Sequence, residues 1–336
     1  MARTFNRRSI REFNSWIRMY LGMNGYGIGA SQGDIFCVKP YSGDDNNSGL
    51  APVDSLKTVA EAYDRCTTNK NDIVLLFSEG NASAATTDYW TSKLTWDKDL
   101  THLIGVCAPT RIGQRSRISH KSTATGINGL LTISGDSCVF ANFLIHQGLE
   151  DATSQNAITI SGTRNYFKNV NVQGLLGQAQ ASAGALAQVT LSGAEENTFE
   201  ECVFGADTVG QGANSCITMA SDSRDNIFKG CYFVTCASDA LFCFVRIADD
   251  CALGFTLFEN CVFINSPTAA GAVTAVTLAI GPSKGLTDTD GVILVSNAAT
   301  TGVTDVGVGG AVLCAPNCGS ATGITTTDIA VAVAPT

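Results

Sequence analysis

The stretch "NTFEECVF" at residues 197–204 returns twice along the chain, as "NIFKGCYF" at 226–233 and as "TLFENCVF" at 256–263. The three copies keep the first Phe, the Cys and the last Phe, while the charged residues between them change. Two weaker copies come earlier, "CVFANFLI" at 138–145 and "NYFKNVNV" at 165–172. The first Phe therefore recurs at intervals of 27, 32, 29 and 30 residues. A period of this length is the signature of a solenoid.

Each copy of the phrase follows a short segment in which apolar and polar residues alternate, such as "LLTISG" at 130–135, "AITISG" at 157–162 and "QVTLSG" at 188–193. Strict alternation indicates a strand with one buried face. Two or three such strands in a unit of about 30 residues fit one coil of a parallel β-helix, in which coils stack at about 4.8 Å. The sequence therefore predicts an all-β fold, a right-handed parallel β-helix.

Stacked coils place equivalent residues above one another, which explains the repeated phrase. We expect three internal ladders: the first of Phe199, Phe228 and Phe258, the second of Cys202, Cys231 and Cys261, and the third of Phe204, Phe233 and Phe263. An outer row that is free to vary contains Glu200, Lys229 and Glu259.

Composition and cysteine usage bound the class of protein. The 336 residues are 45% hydrophobic and only 15% charged, and no apolar run is long enough to span a bilayer. Thirteen cysteines occur without a pair of CxxC motifs, the nearest approach being Cys314 and Cys318. We therefore expect free buried thiols, no metal, no cofactor and assembly in a host cytoplasm.

A capping helix is predicted before the first full coils. Asp54 follows Pro52 and is a reasonable N-cap, and one face at helical spacing carries Leu56, Val59, Ala60, Tyr63 and Cys66. Such a helix would close the hydrophobic end of the solenoid, where strand edges are otherwise exposed.

These features carry a resemblance. The coils, together with "IFCVKPYSGDDNNSGLAPVDSLKTVAEAYDRC" at 35–66 and "LTHLIGVCAPTRIGQRSRISH" at 100–120, resemble the pectate-lyase-like right-handed β-helix proteins of tailed-phage structural modules. The resemblance covers roughly residues 34–265, which we predict to be one capped β-helix. It implies a virion protein.

Catalysis on this fold would need clustered carboxylates and a base. The best local candidates are Asp249 and Asp250, with Asp222 and Asp225 one coil earlier and Arg224 or Arg246 as the cation. Acidic residues are also ordinary turn residues. The three histidines, His102, His120 and His146, show no partner repeated at fixed spacing. We therefore predict no catalytic residue and a protein that is not an enzyme.

The N-terminal segment differs in charge from the rest of the chain. Residues 1–20 carry a balance of +4, whereas the whole chain carries −9. As a helix, residues 1–21 form an apolar stripe flanked by arginines, and the glycine-rich segment 22–33 tethers it. It could dock on a partner protein, pack on its own β-helix or lie on a membrane. We favour docking on a protein, by Arg7, Arg8, Arg11, Phe13, Trp16, Ile17 and Tyr20.

The last segment, 266–336, loses the Phe and Cys ladders but keeps short strands, which predicts a last incomplete coil and strands that cover the end. It offers a charge-poor surface for a homotrimer contact. The acidic body argues against nucleic acid as a partner. The predicted function is a phage virion protein, a capsid decoration (cement) protein bound to the major capsid protein or to a tail or portal component. The alternative is a tail-attached spike or fibre protein that binds or cleaves host surface glycans.

Overall fold

The fold is known from a computed structural model, which describes residues 33–79, 87–150, 156–248, 251, 254–266, 273–282, 291–307 and 312–314. Within these ranges the chain forms three parallel sheets and two short helices, α1 (Val59–Arg65) and α2 (Gln178–Ala181).

The strands of each sheet are as follows. Sheet 1 contains β1 (Ile35–Val38), β2 (Asp72–Phe77), β5 (Thr101–Val106), β8 (Val139–Ala141), β11 (Tyr166–Lys168), β14 (Thr198–Glu200), β17 (Ile227–Lys229), β20 (Gly254–Glu259), β23 (Gly291–Ser296) and β26 (Val312–Cys314). Sheet 2 contains β3 (Thr87–Trp90), β6 (Arg117–His120), β9 (Leu144–His146), β12 (Asn171–Gln173), β15 (Val203–Gln211), β18 (Tyr232–Ala237), β21 (Val262–Asn265) and β24 (Ala299–Thr301). Sheet 3 contains β4 (Leu94–Trp96), β7 (Leu131–Ile133), β10 (Ile158–Ile160), β13 (Ala187–Ser192), β16 (Ser215–Ala220), β19 (Cys243–Ile247), β22 (Val276–Pro282) and β25 (Val303–Gly307).

The order of these strands confirms the predicted parallel β-helix. From β3 onward the chain visits sheets 2, 3 and 1 in turn, and each strand pairs in parallel with the strand one coil earlier. Connections between parallel strands of one sheet are right-handed in nearly all proteins, which gives the coil its hand. The paired strands continue past residue 265 as far as β26, so the solenoid extends into the last segment of the chain.

The predicted ladders of the core are confirmed. Phe199, Phe228 and Phe258 pair in register, with ring centroids 4.7 and 4.6 Å apart, and all three are buried. Phe167 and Phe140 extend the same stack toward the N-terminus at 4.6 and 5.0 Å. A second stack comprises Phe204, Phe233 and Phe263, and a column of buried thiols comprises Cys202, Cys231 and Cys261.

The Asn that begins several copies of the phrase has its own structural role, which the sequence reading did not assign. Asn165, Asn197 and Asn226 are buried at the corner between sheets 3 and 1. The Oδ1 of Asn197 accepts from the backbone N–H of Asn165 at 2.9 Å, and the Oδ1 of Asn226 accepts from that of Asn197 at 3.1 Å. This asparagine ladder satisfies backbone groups that the bend removes from the sheets.

The corner between sheets 1 and 2 is a tight turn. One residue in each coil there has a positive φ, a region that Asn and Gly tolerate best: Asn142, Asn169, Glu201, Gly230, Asn260 and Asn297. This single turn residue sets the short and constant distance between the two Phe ladders.

The capping helix exists, but its start differs from the prediction. α1 begins at Val59, and its N-cap is Thr58, whose side chain accepts from the backbone N–H of Glu61. Asp54 instead lies in the preceding turn, where it accepts from the N–H of Ser48. The helix buries Val59 and Tyr63 against the end of the core.

Candidate functional site

A groove of about 650 Å³ lies on the outer face of sheet 2, over the first coils of the solenoid. Its floor is one outward row of the sheet, in which Tyr89, Ser119, His146 and Gln173 pair in register on four neighbouring strands. Three steps at the usual strand spacing make this row about 14 Å long. The row is therefore long enough for an extended ligand.

Two histidines meet in the groove. The imidazoles of His120 and His146 stack with ring centroids 5.8 Å apart, and the Oγ of Ser119 lies 3.1 Å from the Nδ1 of His146. Burial, and then the nearby His120, lower the pKa of His146 to about 4. Burial also lowers the pKa of His120. Both rings are therefore mainly neutral at pH 7 and can act there as hydrogen-bonding groups.

The permanent charge of the groove is positive. Arg117 and Lys121 line it, and none of its described lining residues carries a carboxylate. The guanidinium of Arg117 is held at the wall because its Nε donates to the carbonyl of Gln114 at 2.8 Å and its Nη2 to that of Gly113 at 3.3 Å. A positive groove in a chain of net charge −9 provides a local attraction for anions.

The segment between β5 and β6, residues 107–116, forms one wall and is anchored across several coils. The guanidinium of Arg111 lies 4.2 Å from the centroid of the Tyr232 ring, and Gln114 donates to the carbonyl of Asn169 at 2.8 Å. These contacts fix the position of Arg117 at the end of the segment.

An exposed aromatic ring completes the groove at its N-terminal end. Tyr89 is 47% exposed although it is large and apolar, and it shares the outer row with Ser119. Rings of this kind provide flat surfaces on which ligand rings can pack.

None of the residues that the sequence favoured is among the described residues that line this groove. Arg7, Arg8, Arg11, Phe13, Trp16, Ile17 and Tyr20 lie outside the described residues, as do Asp249 and Asp250, so docking by the N-terminal segment stays a prediction.

The other candidates for catalysis make ordinary structural contacts. Arg224 pairs with Glu195 at 2.9 Å, and the carboxylate of Asp225 accepts from the backbone N–H of Phe255 at 2.9 Å. Arg246 donates to the carbonyl of Ala213 at 2.8 Å.

The sequence does contain a signal for the groove. "RISH" at 117–120 and "FLIH" at 143–146 end in the same residue one coil apart, and basic residues are concentrated between 111 and 121. A search for a second histidine about one coil length further along the sequence identifies the pair His120 and His146. In the ranges that the structure describes, no group of three or more His, Cys, Asp or Glu side chains could hold a metal ion, and no helix is long and apolar enough to cross a membrane.

Comparison with known proteins identifies the fold. No protein-family model matches the chain, and no curated protein matches it in sequence. Among solved structures, a pectin methylesterase from Erwinia chrysanthemi is similar with a TM-score of 0.52 and 13% identity, over 88% of this chain and 91% of that one. The chain has the β-helix fold of that enzyme. A rhamnogalacturonan lyase is similar with a TM-score of 0.51 and 12% identity, over 80% of this chain and 68% of that one. A protein titled Geobacillus virus E2 ORF18 has a TM-score of 0.45 and 10% identity, over 95% of this chain and 64% of that one.

These comparisons correct one prediction. The expectation that the chain is not an enzyme is wrong, because its fold is one that a pectin methylesterase and a rhamnogalacturonan lyase also have. The fold is thus associated with enzymes, and the ordinary turn role of the acidic residues is not a ground for excluding catalysis.

Proposed function

We propose that this chain is a phage virion protein whose groove on sheet 2 binds an acidic glycan of the host surface. The observation that carries the proposal is the groove itself, which joins Arg117 and Lys121 to an exposed Tyr89 without a carboxylate among its described lining residues.

Each part of the groove suits a different part of such a ligand. Arg and Lys side chains form charge-assisted hydrogen bonds with carboxylate or phosphate groups. Ser119 and Gln173 offer hydroxyl and amide groups for sugar hydroxyls, and the ring of Tyr89 offers a face for a pyranose ring. A pectin methylesterase with the same fold is known in complex with a hexasaccharide, which supports a saccharide as the ligand class.

The groove favours the second of the two virion roles that the sequence predicts. A spike or fibre protein attached to the tail meets host glycans, whereas capsid decoration alone would not use an open cationic groove. Membership of the virion, with other virion proteins and a homotrimer as partners, is part of the same proposal. Mass spectrometry of purified particles and immunogold labelling would test the location.

Binding can be tested with defined oligosaccharides and the full chain. We expect a hexamer of galacturonate to bind in isothermal titration calorimetry and an uncharged hexamer of galactose to bind much more weakly. Lys121→Ala should weaken binding of the acidic hexamer roughly tenfold, because a charge-assisted hydrogen bond is worth about 1.5 to 3 kcal/mol and 1.4 kcal/mol is a factor of ten. Tyr89→Ala should weaken binding of both hexamers.

The matched control is Lys229→Ala, which removes an exposed lysine of sheet 1. It changes the net charge as much as Lys121→Ala does but leaves the groove intact, so binding should be unchanged. Equal losses for the two lysine variants would mean that only net charge matters. No difference between the acidic and neutral hexamers would refute an anionic ligand.

A further inference from the structure

A second apolar cluster lies outside the main core, on the outer face of sheet 1. It is formed by residues of β1, β2, β5 and β8 that alternate with the core residues of the same strands: Ile35, Ile73, Leu75, Ile104, Val139 and Ala141, with Phe77 and Tyr166 packed at its edge. Ile35 and Ile73 are 0% exposed and Leu75 is 1% exposed. Throughout, the outer face of sheet 1 means the side of that sheet that points away from the main core.

The apolar character of this face changes along one of its two outward rows after β8. One coil after β8 the row of Ala141 continues as Lys168, Glu200, Lys229 and Glu259, whereas the row of Val139 continues as Tyr166, Thr198, Ile227 and Leu257. The Nζ of Lys168 and the Oε1 of Glu200 form an ion pair at 2.6 Å. One of the two outward rows of the later strands is therefore charged, whereas the same row is apolar in the first four strands.

Neither described helix lies on the outer face of sheet 1. The buried residues of α1 belong to the main core, and α2 packs beside β15 in sheet 2. Neither described helix therefore accounts for the burial of Ile35 and Ile73, and the cover comes from elsewhere in the chain.

We propose that the cover is residues 10–21 of the same chain, packed as an amphipathic helix across the outer face of sheet 1. The described part of the chain begins at Gly33, two residues before Ile35 and at the edge of this face. The segment that precedes it is therefore the nearest in sequence and starts beside the face.

The dimensions of the segment and the face agree. A helix of twelve residues is about 18 Å long, and the four strands β1, β2, β5 and β8 span about 14 Å at the usual strand spacing. A helix that lies across the strands therefore covers all four. Residues 22–32 leave enough chain to reach back from Gly33, since an extended chain spans about 3.3 Å per residue.

The pattern of the segment also agrees. One side of a helix over this segment carries apolar side chains, those of Ile10, Phe13, Trp16, Ile17 and Tyr20. This side is therefore suited to pack against another apolar surface. A short helix is marginal alone in water and needs such a surface to be stable. When its apolar side packs on sheet 1, the segment is part of the folded solenoid. Trp16 and Phe13 are then buried and do not anchor the chain to another virion protein.

Site-specific cross-linking in the full chain tests this proposal. A photoreactive benzophenone amino acid replaces Trp16 in one variant and Ser15, on the side of the helix opposite the stripe, in a matched control. After illumination, we expect cross-links from position 16 to peptides that contain residues 72–77, 101–106 or 139–141, within a single chain. Position 15 should give at least fivefold fewer cross-links to these peptides.

Several results would overturn the proposal. Cross-links from position 16 that join two chains would assign the segment to a second copy, and equal yields from both positions would remove the orientation that the stripe requires. A second variant, Phe13→Ser with Trp16→Ser, should increase carbene labelling of Ile73 and Ile104 severalfold, while labelling of the strand that contains Phe228 stays constant. Unchanged labelling of Ile73 and Ile104 would also contradict the proposal.

Discussion

Replacing Phe228 with Ala is the most direct test of how the solenoid is held together. Phe228 is 0% exposed and lies in the middle of the longest ring stack, between Phe199 at 4.7 Å and Phe258 at 4.6 Å. Its ring also contacts those of Phe204 and Phe233, at 6.2 and 6.1 Å. The substitution therefore removes contacts to both neighbouring coils and to the second stack.

The expected cost follows from this packing. A buried Phe→Ala change lowers the free energy of unfolding by about 3 to 5 kcal/mol, and the cost is greatest where the surroundings cannot collapse into the void. The rings above and below Phe228 are held in register by the sheet, so we expect about 5 kcal/mol. Phe228→Leu keeps most of the apolar volume and loses only the ring stacking, for about 1 to 2 kcal/mol.

Urea unfolding followed by circular dichroism measures these differences from the transition midpoints. The control is Phe255→Ala in the next coil, where the ring is 42% exposed and the cost should stay below about 0.5 kcal/mol. A cost below about 1 kcal/mol for Phe228→Ala would refute the reasoning, because such a value describes a surface ring rather than the centre of a stack. It would mean that the coils are registered differently.

Three further predictions concern the corner, the groove and the thiols. Asn197→Leu should lower the free energy of unfolding by about 2 to 4 kcal/mol, because it leaves the N–H of Asn165 and the carbonyl of Gly162 without their partner. The midpoint of denaturant unfolding measures this loss, and an unchanged midpoint would contradict the asparagine ladder. Since the pKa of His146 falls from 6.5 to about 4 on folding, the unfolded chain binds a proton in this window that the folded chain does not. Stability should therefore fall by about 2 to 3 kcal/mol as the pH drops from 6.5 to 4, and His146→Gln should flatten that part of the pH profile of thermal unfolding. Among the eleven cysteines from Cys37 to Cys261 only Cys107 is not buried, so alkylation of the folded protein followed by peptide mapping should modify Cys107 roughly tenfold faster than the other ten.

Much of the fold could be predicted because every coil of a solenoid places equivalent residues in the same environment. Phe199, Phe228 and Phe258 occupy one environment three times, so the same residue type is favoured each time and the period is visible in the sequence. The start of α1 was predicted less well. Asp54 and Thr58 are both suitable N-caps by composition, and only the contacts of the turn before the helix decide between them.

The groove shows what the sequence alone could not supply. Arg117 has no basic counterpart one coil later, where it pairs with Leu144, and the meeting of His120 with His146 depends on the register of β6 against β9. The wall depends on Arg111 reaching Tyr232, more than a hundred residues away in the chain. Contacts of this kind are absent from any local pattern, because they arise only when coils are stacked.

The sequence by itself determined the coil period, the identity of the inward rows and the low charge of the body, since each of these follows from burial repeated at a fixed interval. Tertiary structure decided which outward residues become neighbours. On the outside of a solenoid, burial is not repeated in every coil and so leaves no periodic pattern in the sequence. A cationic groove on one sheet and an apolar face on another therefore become recognisable only when the stacking of the coils brings their residues together.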